Sequence, residues 1–134
     1  MKFEKVDSFL LFGGGSLFAD LAVLIQRSGY PIQTVTSKRH FKENLVEHQI
    51  TLKEFLETHG METIVSDDVN NDGKVREKIN SGTFGISVGA AWIFKKKFIS
   101  LFSGRMVNSH GARLPQDRGG GVQSGMKYVR LPCM

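Results

Sequence analysis

The feature that most constrains the fold lies in the first third of the chain. An apolar run from Ser8 to Phe12 leads into Gly13-Gly14-Gly15, and a stretch with helically spaced apolar residues follows it. The segment 32–36 then alternates in polarity and is rich in β-branched residues, which predicts a second strand. Strand, glycine turn, helix and strand form a βαβ unit, so the two strands are expected to be parallel neighbours in one sheet.

The first helix is predicted to begin with Ser16 as its N-cap, because a serine hydroxyl can accept a hydrogen bond from the first helical turn. Gly29 is predicted to end it, since glycine readily adopts the left-handed conformation that follows many helices. The predicted buried face has the spacing i, i+4, i+7, i+8 and consists of Leu17, Leu21, Leu24 and Ile25.

Strands and helices continue to alternate along the chain. The remaining predicted strands cover 62–66, 84–90 and 105–108. The remaining predicted helices are a weak one over 38–48, one from Thr51 to Gly60 with a capping box, and a short one carrying Val75 and Ile79. A last helix ends at Gly104 and carries Phe94, Phe98, Leu101 and Phe102. The pattern predicts an α/β fold: a Rossmann-like open, mostly parallel sheet with helices on both faces.

Composition and charge indicate in which compartment the protein works and which classes of partner it can bind. The chain has 134 residues, typical of one domain, and no apolar run approaches the ~20 residues that span a membrane. Cys133 is the only cysteine and no signal peptide is recognisable, so we expect a cytoplasmic protein without a membrane partner. The net charge of +5 favours anionic partners such as folates, nucleotide-sugars or RNA, although Lys95-Lys96-Lys97 reads most simply as a solvated helix face.

The glycine turn is a candidate anion site. Gly13, Gly14 and Ser16 precede or open a helix, and backbone N–H groups at such a position can bind an anion. The dinucleotide-binding pattern GxGxxG is not met, because its third glycine would occupy the position of Phe18. A tight turn that binds no ligand explains the glycines equally well.

Two other polar patterns favour structural roles. Asp68, Asn70, Asp72 and Gly73 resemble a calcium loop, but Ile79 stands where a bidentate Glu is required, so a polar turn before a helix is the better interpretation and no metal is expected. The histidines of the helical segments have no evident partners and are predicted to be surface residues: His40, His48 and His59.

The strongest candidate for chemistry is the pair Asn108 and His110. Residues i and i+2 of a strand face the same side, so the amide and the imidazole are expected to project together. An amide can donate to a developing oxyanion, and an imidazole can exchange a proton near neutral pH. A structural Asn and His at a strand end would have the same spacing, so spacing alone leaves both interpretations open.

The stretch 104–121, "GRMVNSHGARLPQDRGGG", resembles the signature of the folate-dependent formyltransferases, and the βαβ unit is similar to the opening of that family. The family includes methionyl-tRNA, glycinamide ribonucleotide and sugar N-formyltransferases. The matching residues are Asn108, His110, Leu114, Pro115, Arg118 and Gly119.

The resemblance implies formyl transfer from 10-formyltetrahydrofolate to a primary amine. Asn108 would hydrogen-bond the tetrahedral oxyanion, and His110 would stabilise it and help move protons. The pterin would lie against the segment after the fourth strand, with the contact residues Ala91, Trp92, Ile93, Phe94 and Ile99, of which Ile99 could equally be core. The residues expected to bind the acceptor or another anion are Gly13, Gly14, Ser16 and Arg118.

The resemblance also predicts a domain division. Residues 1–124 match an incomplete formyltransferase N-terminal domain and 125–134 form a divergent tail; the family's catalytic Asp has no counterpart, because no acidic residue follows Asp117. We expect truncation or a change of reading frame to explain this. The expected acceptor is a nucleotide-linked amino sugar or, alternatively, methionyl-tRNA. The alternative function is binding of a folate or nucleotide without catalysis, and the oligomeric state stays open.

Overall fold

The structure is a computed structural model that describes residues 6–109. Its strands are β1 Ser8–Gly13, β2 Ile32–Thr36, β3 Asn44–Leu45, β4 Ile50–Thr51, β5 Thr63–Val65, β6 Thr83–Val88 and β7 Met106–Ser109. Its helices are α1 Gly15–Arg27, α2 Lys38–Lys42, α3 Leu52–Thr58, α4 Gly73–Arg76 and α5 Lys96–Ile99, with 3-10 turns at Val69–Asn71 and Ser100–Phe102. Within 6–109, none of these helices has the length and apolar character needed to cross a membrane.

The main sheet has five strands in the order β5-β2-β1-β6-β7, and every pairing in it is parallel. Helices pack on both of its faces. The α/β, Rossmann-like open sheet predicted from the sequence is therefore confirmed. The two-residue strands β3 and β4 form a separate antiparallel pair beside it.

Each face of the sheet has its own hydrophobic core. On one face α1 and α3 cover residues such as Leu11 and Val88. On the other face Phe12 lies at the centre of an aromatic cluster, with ring centroids 5.3 to 6.3 Å from four neighbours. Those neighbours are Trp92, Phe94, Phe98 and Phe102. The second face thus carries the aromatic side chains that follow β6.

The predicted buried face of α1 is wrong for Leu17 and Leu24, although it is right for Ile25. Gly14, not Ser16, is the N-cap, and Ser16 lies inside the first turn. Leu17 is 63% exposed and Leu24 is 61% exposed. The buried residues are Phe18, Ala19, Ala22, Val23 and Ile25. Two apolar stripes share this helix, and the one containing the small alanines packs on the sheet because small side chains permit a close approach.

Two other predicted helices are shorter than expected. The helix expected over 38–48 ends at Lys42, and Leu45 instead lies buried in the β3–β4 pair. The Leu52 N–H donates to the Glu43 carbonyl, and this bond holds the pair against the start of α3.

The capping box of Thr51 and Glu54 is present, as predicted. α5 begins at Lys96, after Phe94, and its 3-10 extension leaves Leu101 41% exposed.

The direction of the strand order reverses between β1 and β6. The chain runs from β1 outward to β2 and β5, then returns to the other side of β1 for β6 and β7. Ligands of open α/β sheets bind outside the carboxyl ends of the strands at such a reversal. Here the two loops touch: the Gly14 N–H donates to the Val88 carbonyl at 3.1 Å, and a Cβ on Gly89 would lie 2.9 Å from the Gly14 carbonyl oxygen.

Gly13→Ala is expected to lower the free energy of unfolding by about 3 kcal/mol, because Gly13 has φ +142° and an added Cβ would overlap the Val88 carbonyl. Urea unfolding measures the change. Gly73→Ala is the matched control, since a Cβ there meets nothing within 4 Å, and it should change stability by less than ~1 kcal/mol. Equal stabilities for the two variants would contradict the tight packing at Gly13.

Candidate active site

A row of side chains crosses three strands near their carboxyl ends. Phe12 of β1 is in register with Ser87 of β6, and Ser87 is in register with Asn108 of β7. Side chains at paired positions of a sheet project to the same face. The row therefore lies on the face that carries the aromatic cluster, beside the reversal of strand order.

The two polar members of this row differ in exposure. Ser87 is fully buried, and within residues 6–109 its hydroxyl has no hydrogen-bond partner. Asn108 is partly exposed at the end of β7, where the sequence placed it. Its predicted catalytic partner His110 and the predicted anion-binding Arg118 lie outside the described residues. The structure thus places one predicted catalytic side chain at the carboxyl edge.

The segment expected to bind a pterin follows β6 and has a mixed exposure. Ala91 and Ile93 are exposed, Ile93 to 55%, and Trp92 is half-buried. Phe94 is only 3% exposed, and Ile99 packs against the same core. The accessible surface of this segment is therefore that of the first three residues, with Phe94 and Ile99 beneath it as support.

Asn70 holds this segment against the loop after β5. Its side-chain amide donates to the Ile93 carbonyl at 2.9 Å, and its side-chain oxygen accepts from the Lys95 N–H at 2.9 Å. The Trp92 indole N–H adds a bond of 3.1 Å to the Ser66 carbonyl. These side-chain contacts fix the course of the chain between β6 and α5.

The residues that resembled a calcium loop have structural roles, as predicted. Asp68 caps the 3-10 turn at Val69–Asn71, and Asp72 caps α4. A hydrogen bond from the Asn71 amide is the main reason that the pKa of the Asp68 carboxyl lies below its usual value. In the described part of the chain, no three His, Cys, Asp or Glu residues are grouped so that they could hold a metal ion.

The glycine turn is partly committed to the fold. The Gly14 N–H already binds Val88, and the Gly13 carbonyl accepts from the Thr36 hydroxyl at 2.6 Å. The N–H groups that remain for an anion are those of the first turn of α1, which begins at Gly15 and contains Ser16. This turn has neither an acidic residue nor a side-chain cap, so its electrostatic environment suits an anion.

His40 lies directly on the glycine turn. Its ring fills the space that a side chain on Gly14 would occupy, and its Nδ1 is 3.1 Å from the Ser37 hydroxyl. Burial lowers the pKa of His40 below its ordinary value, the Arg39 charge lowers it further, and the Glu43 carboxylate opposes these effects. The His40 imidazole, whose neutral form is favoured by the lowered pKa, forms part of the wall at the carboxyl ends of β1 and β2.

The prediction that the three histidines have no partners is wrong for each of them, whereas the predicted surface position is confirmed for His48, which is exposed. His40 contacts the glycine turn, as described above. His48 Nε2 lies 2.9 Å from a carboxylate oxygen of Asp20. The His59 ring packs on Phe55 with centroids 4.4 Å apart. The sequence could not show these contacts, because each partner comes from the tertiary fold or from the exact end of a helix.

Sequence reasoning also missed the positions of Ser87 and Asn70 in the site. The only signal for Ser87 was a polar residue inside an apolar strand, and for Asn70 a polar turn after β5.

Neither a comparison with protein-family models nor one with curated proteins finds a match to this chain. The chemistry of the site must therefore be argued from its own residues.

Asn70→Ala is expected to cost about 2 kcal/mol of unfolding free energy, because it removes the bonds to the Ile93 carbonyl and the Lys95 N–H. The emission of the only tryptophan, Trp92, should also shift toward that of a solvated indole. The matched control is Asn71→Ala, whose exposed side chain donates a hydrogen bond to Asp68. If both variants behave alike in urea unfolding and fluorescence, Asn70 does not hold the segment.

The lowered pKa of His40 predicts a pH dependence of stability. Folded His40 binds fewer protons than unfolded His40 below the ordinary value of about 6.5. The contribution of His40 to the free energy of unfolding is therefore complete above that pH, and it is lost as the pH falls toward the lowered pKa. Urea unfolding between about pH 7 and pH 5 should show a smaller decline for His40→Asn than for the unchanged protein. Identical declines would contradict the lowered pKa.

Proposed function

We propose that this protein transfers a formyl group from 10-formyltetrahydrofolate to a primary amine at the carboxyl ends of β1, β6 and β7. The single observation that carries the proposal is the position of Asn108. It ends β7 in register with Ser87, on the face that carries the aromatic cluster and next to the reversal of strand order. The likeness of 104–121 to the formyltransferase signature supplies the reaction.

The residues fit the steps of that reaction. The acceptor nitrogen attacks the formyl carbon and forms a tetrahedral oxyanion, to which the Asn108 amide N–H can donate. The attacking nitrogen then loses a proton, which the His110 imidazole would accept. The bond from the formyl carbon to N10 of the folate breaks, and N10 takes up a proton. The products are a formamide and tetrahydrofolate.

The segment after β6 offers a suitable wall for a pteridine. Trp92 presents a half-buried indole fixed by its bond to Ser66, and Ile93 adds exposed apolar surface. Backbone polar groups next to an apolar wall suit a flat heterocycle that forms hydrogen bonds along its edge. Lys95, Lys96 and Lys97 are exposed directly after this wall, and their charge would attract the glutamate carboxylates of a folate.

The proposed acceptor is an amine on a nucleotide-linked sugar, with methionyl-tRNA as the alternative. Both are anionic, in keeping with the net charge of +5. The uncapped first turn of α1 and the His40 ring beside Gly14 line the opposite side of the carboxyl edge from Trp92. That arrangement separates a donor side from an acceptor side. We place the reaction in the cytoplasm, in keeping with the single cysteine.

Folate binding is tested first, by titrating the chain with 5-formyltetrahydrofolate, a stable relative of the donor, and recording Trp92 fluorescence. We expect a saturable change, because the ligand would contact the only tryptophan. NAD and ATP serve as comparison ligands. A response to either nucleotide with none to the folate would contradict the proposal.

Transfer is tested with an isotope-labelled formyl donor and amino-sugar nucleotides or methionyl-tRNA as acceptors. In a version of the chain that carries the family's missing Asp loop, Asn108→Ala and His110→Ala are each expected to lower turnover about a hundredfold or more, because one lost oxyanion donor typically has this effect. The exposed Asn44→Ala, on the β3–β4 pair, is the control and should keep full turnover. Folate binding without transfer to any acceptor would support the non-catalytic alternative instead.

A further inference from the structure

The outward face of α1 carries a stripe of leucines. Leu17, Leu21 and Leu24 follow one another at i, i+4 and i+7, so they line one side of the helix. Leu17 and Leu24 are 63% and 61% exposed, and Leu21 lies between them at intermediate exposure, partly packed against the core beneath the helix. Single exposed leucines are common on protein surfaces, but a continuous stripe along one helix is typical of a contact surface.

Opposite charges flank this leucine stripe on one side. Asp20 and Arg27 are both exposed and stand seven residues apart, two turns along the same line of the helix. Asp20 also contacts His48 through one carboxylate oxygen, which leaves its charge at the edge of the stripe. Tyr30, 45% exposed, continues the apolar surface just beyond the end of α1.

We propose that the leucine stripe is the contact surface between two copies of this chain, with the two α1 helices packed antiparallel about a two-fold axis. An axis passing between residues 23 and 24 places Asp20 opposite the partner's Arg27. The same axis brings the two Leu24 side chains together. One surface thus complements itself, as a two-fold contact requires.

The charge pattern selects this arrangement over a parallel one. In a parallel two-fold pair the charged flanks of the two helices would lie on opposite edges of the contact, so neither Asp20 nor Arg27 would meet an opposite charge on the partner. In the antiparallel pair each Asp20 faces one Arg27 of the other copy, and the axis repeats this contact so that two such pairs form. The surface is therefore complementary to the same surface on a second copy of this chain.

The size of the surface sets the strength of the contact. The helix has only 13 residues, so the leucine stripe together with Tyr30 would bury less surface in the dimer than the ~800 Å² per partner of a standard interface. The dimer should therefore be weak and depend on concentration. α1 packs on the sheet face opposite the aromatic cluster, so the contact does not cover Asn108. This inference is independent of the proposed reaction.

Sedimentation velocity over a range of concentrations tests the proposal on the full chain. We expect a monomer–dimer equilibrium that Leu24→Lys abolishes and that Asp20→Arg or Arg27→Asp weakens at least about tenfold, because each single change pairs like charges. Combining Asp20→Arg with Arg27→Asp should restore the dimer. His48→Gln is the control, since it removes only the contact within one copy and should leave association unchanged.

Circular dichroism and urea unfolding check that the Leu24, Asp20 and Arg27 variants fold. We expect that they do, because all three side chains are exposed. A monomer at every concentration would overturn the proposal. A dimer that persists in Leu24→Lys would overturn it as well, because the contact would then lie elsewhere. Failure of the double exchange to restore the dimer would overturn the antiparallel arrangement.

Discussion

The contact between the backbones of β1 and β6 at their carboxyl ends is the constraint on which the rest of the structure depends. The Gly14 N–H reaches the Val88 carbonyl, and neither Gly13 nor Gly89 leaves room for a side chain there. This contact brings the start of α1 and the segment after β6 to one place. It also sets the register of β6, on which β7 and Asn108 in turn depend.

Side chains that bind backbone groups fix the loops around this contact. The Thr36 hydroxyl holds the Gly13 carbonyl, and the Asn70 amide holds the segment that carries Ile93. Each of these residues is buried, and a buried polar group is costly unless it is hydrogen-bonded. The loops are therefore held in one arrangement before any ligand arrives, which is the condition under which a donor such as Asn108 can stabilise developing charge.

The sequence predicts the five strands of the main sheet, because each is a short apolar run bounded by glycine or polar residues, and their alternation with helices predicts that the sheet is mostly parallel. It predicts neither the order of the strands nor the β3–β4 pair. It does not predict which face of α1 is buried, because both the leucine stripe and the stripe containing Ala22 have helical spacing. Nor does it reveal that Ser87 stands beside Asn108. That relation depends on the register of two strands separated by a helix, and register is decided by packing in the tertiary fold.

The aromatic cluster limits which residues can contact a ligand on its face of the sheet. Phe12 is fully buried with four rings around it, so its own ring is closed to a ligand. Among those rings Trp92 combines partial exposure with a polar group, and that group is engaged by Ser66. A flat ligand would therefore meet an indole whose orientation is already fixed, with the apolar Ile93 beside it. Discrimination between ligands would then depend on shape and on backbone polar groups, since the cluster itself is too tightly packed to adjust.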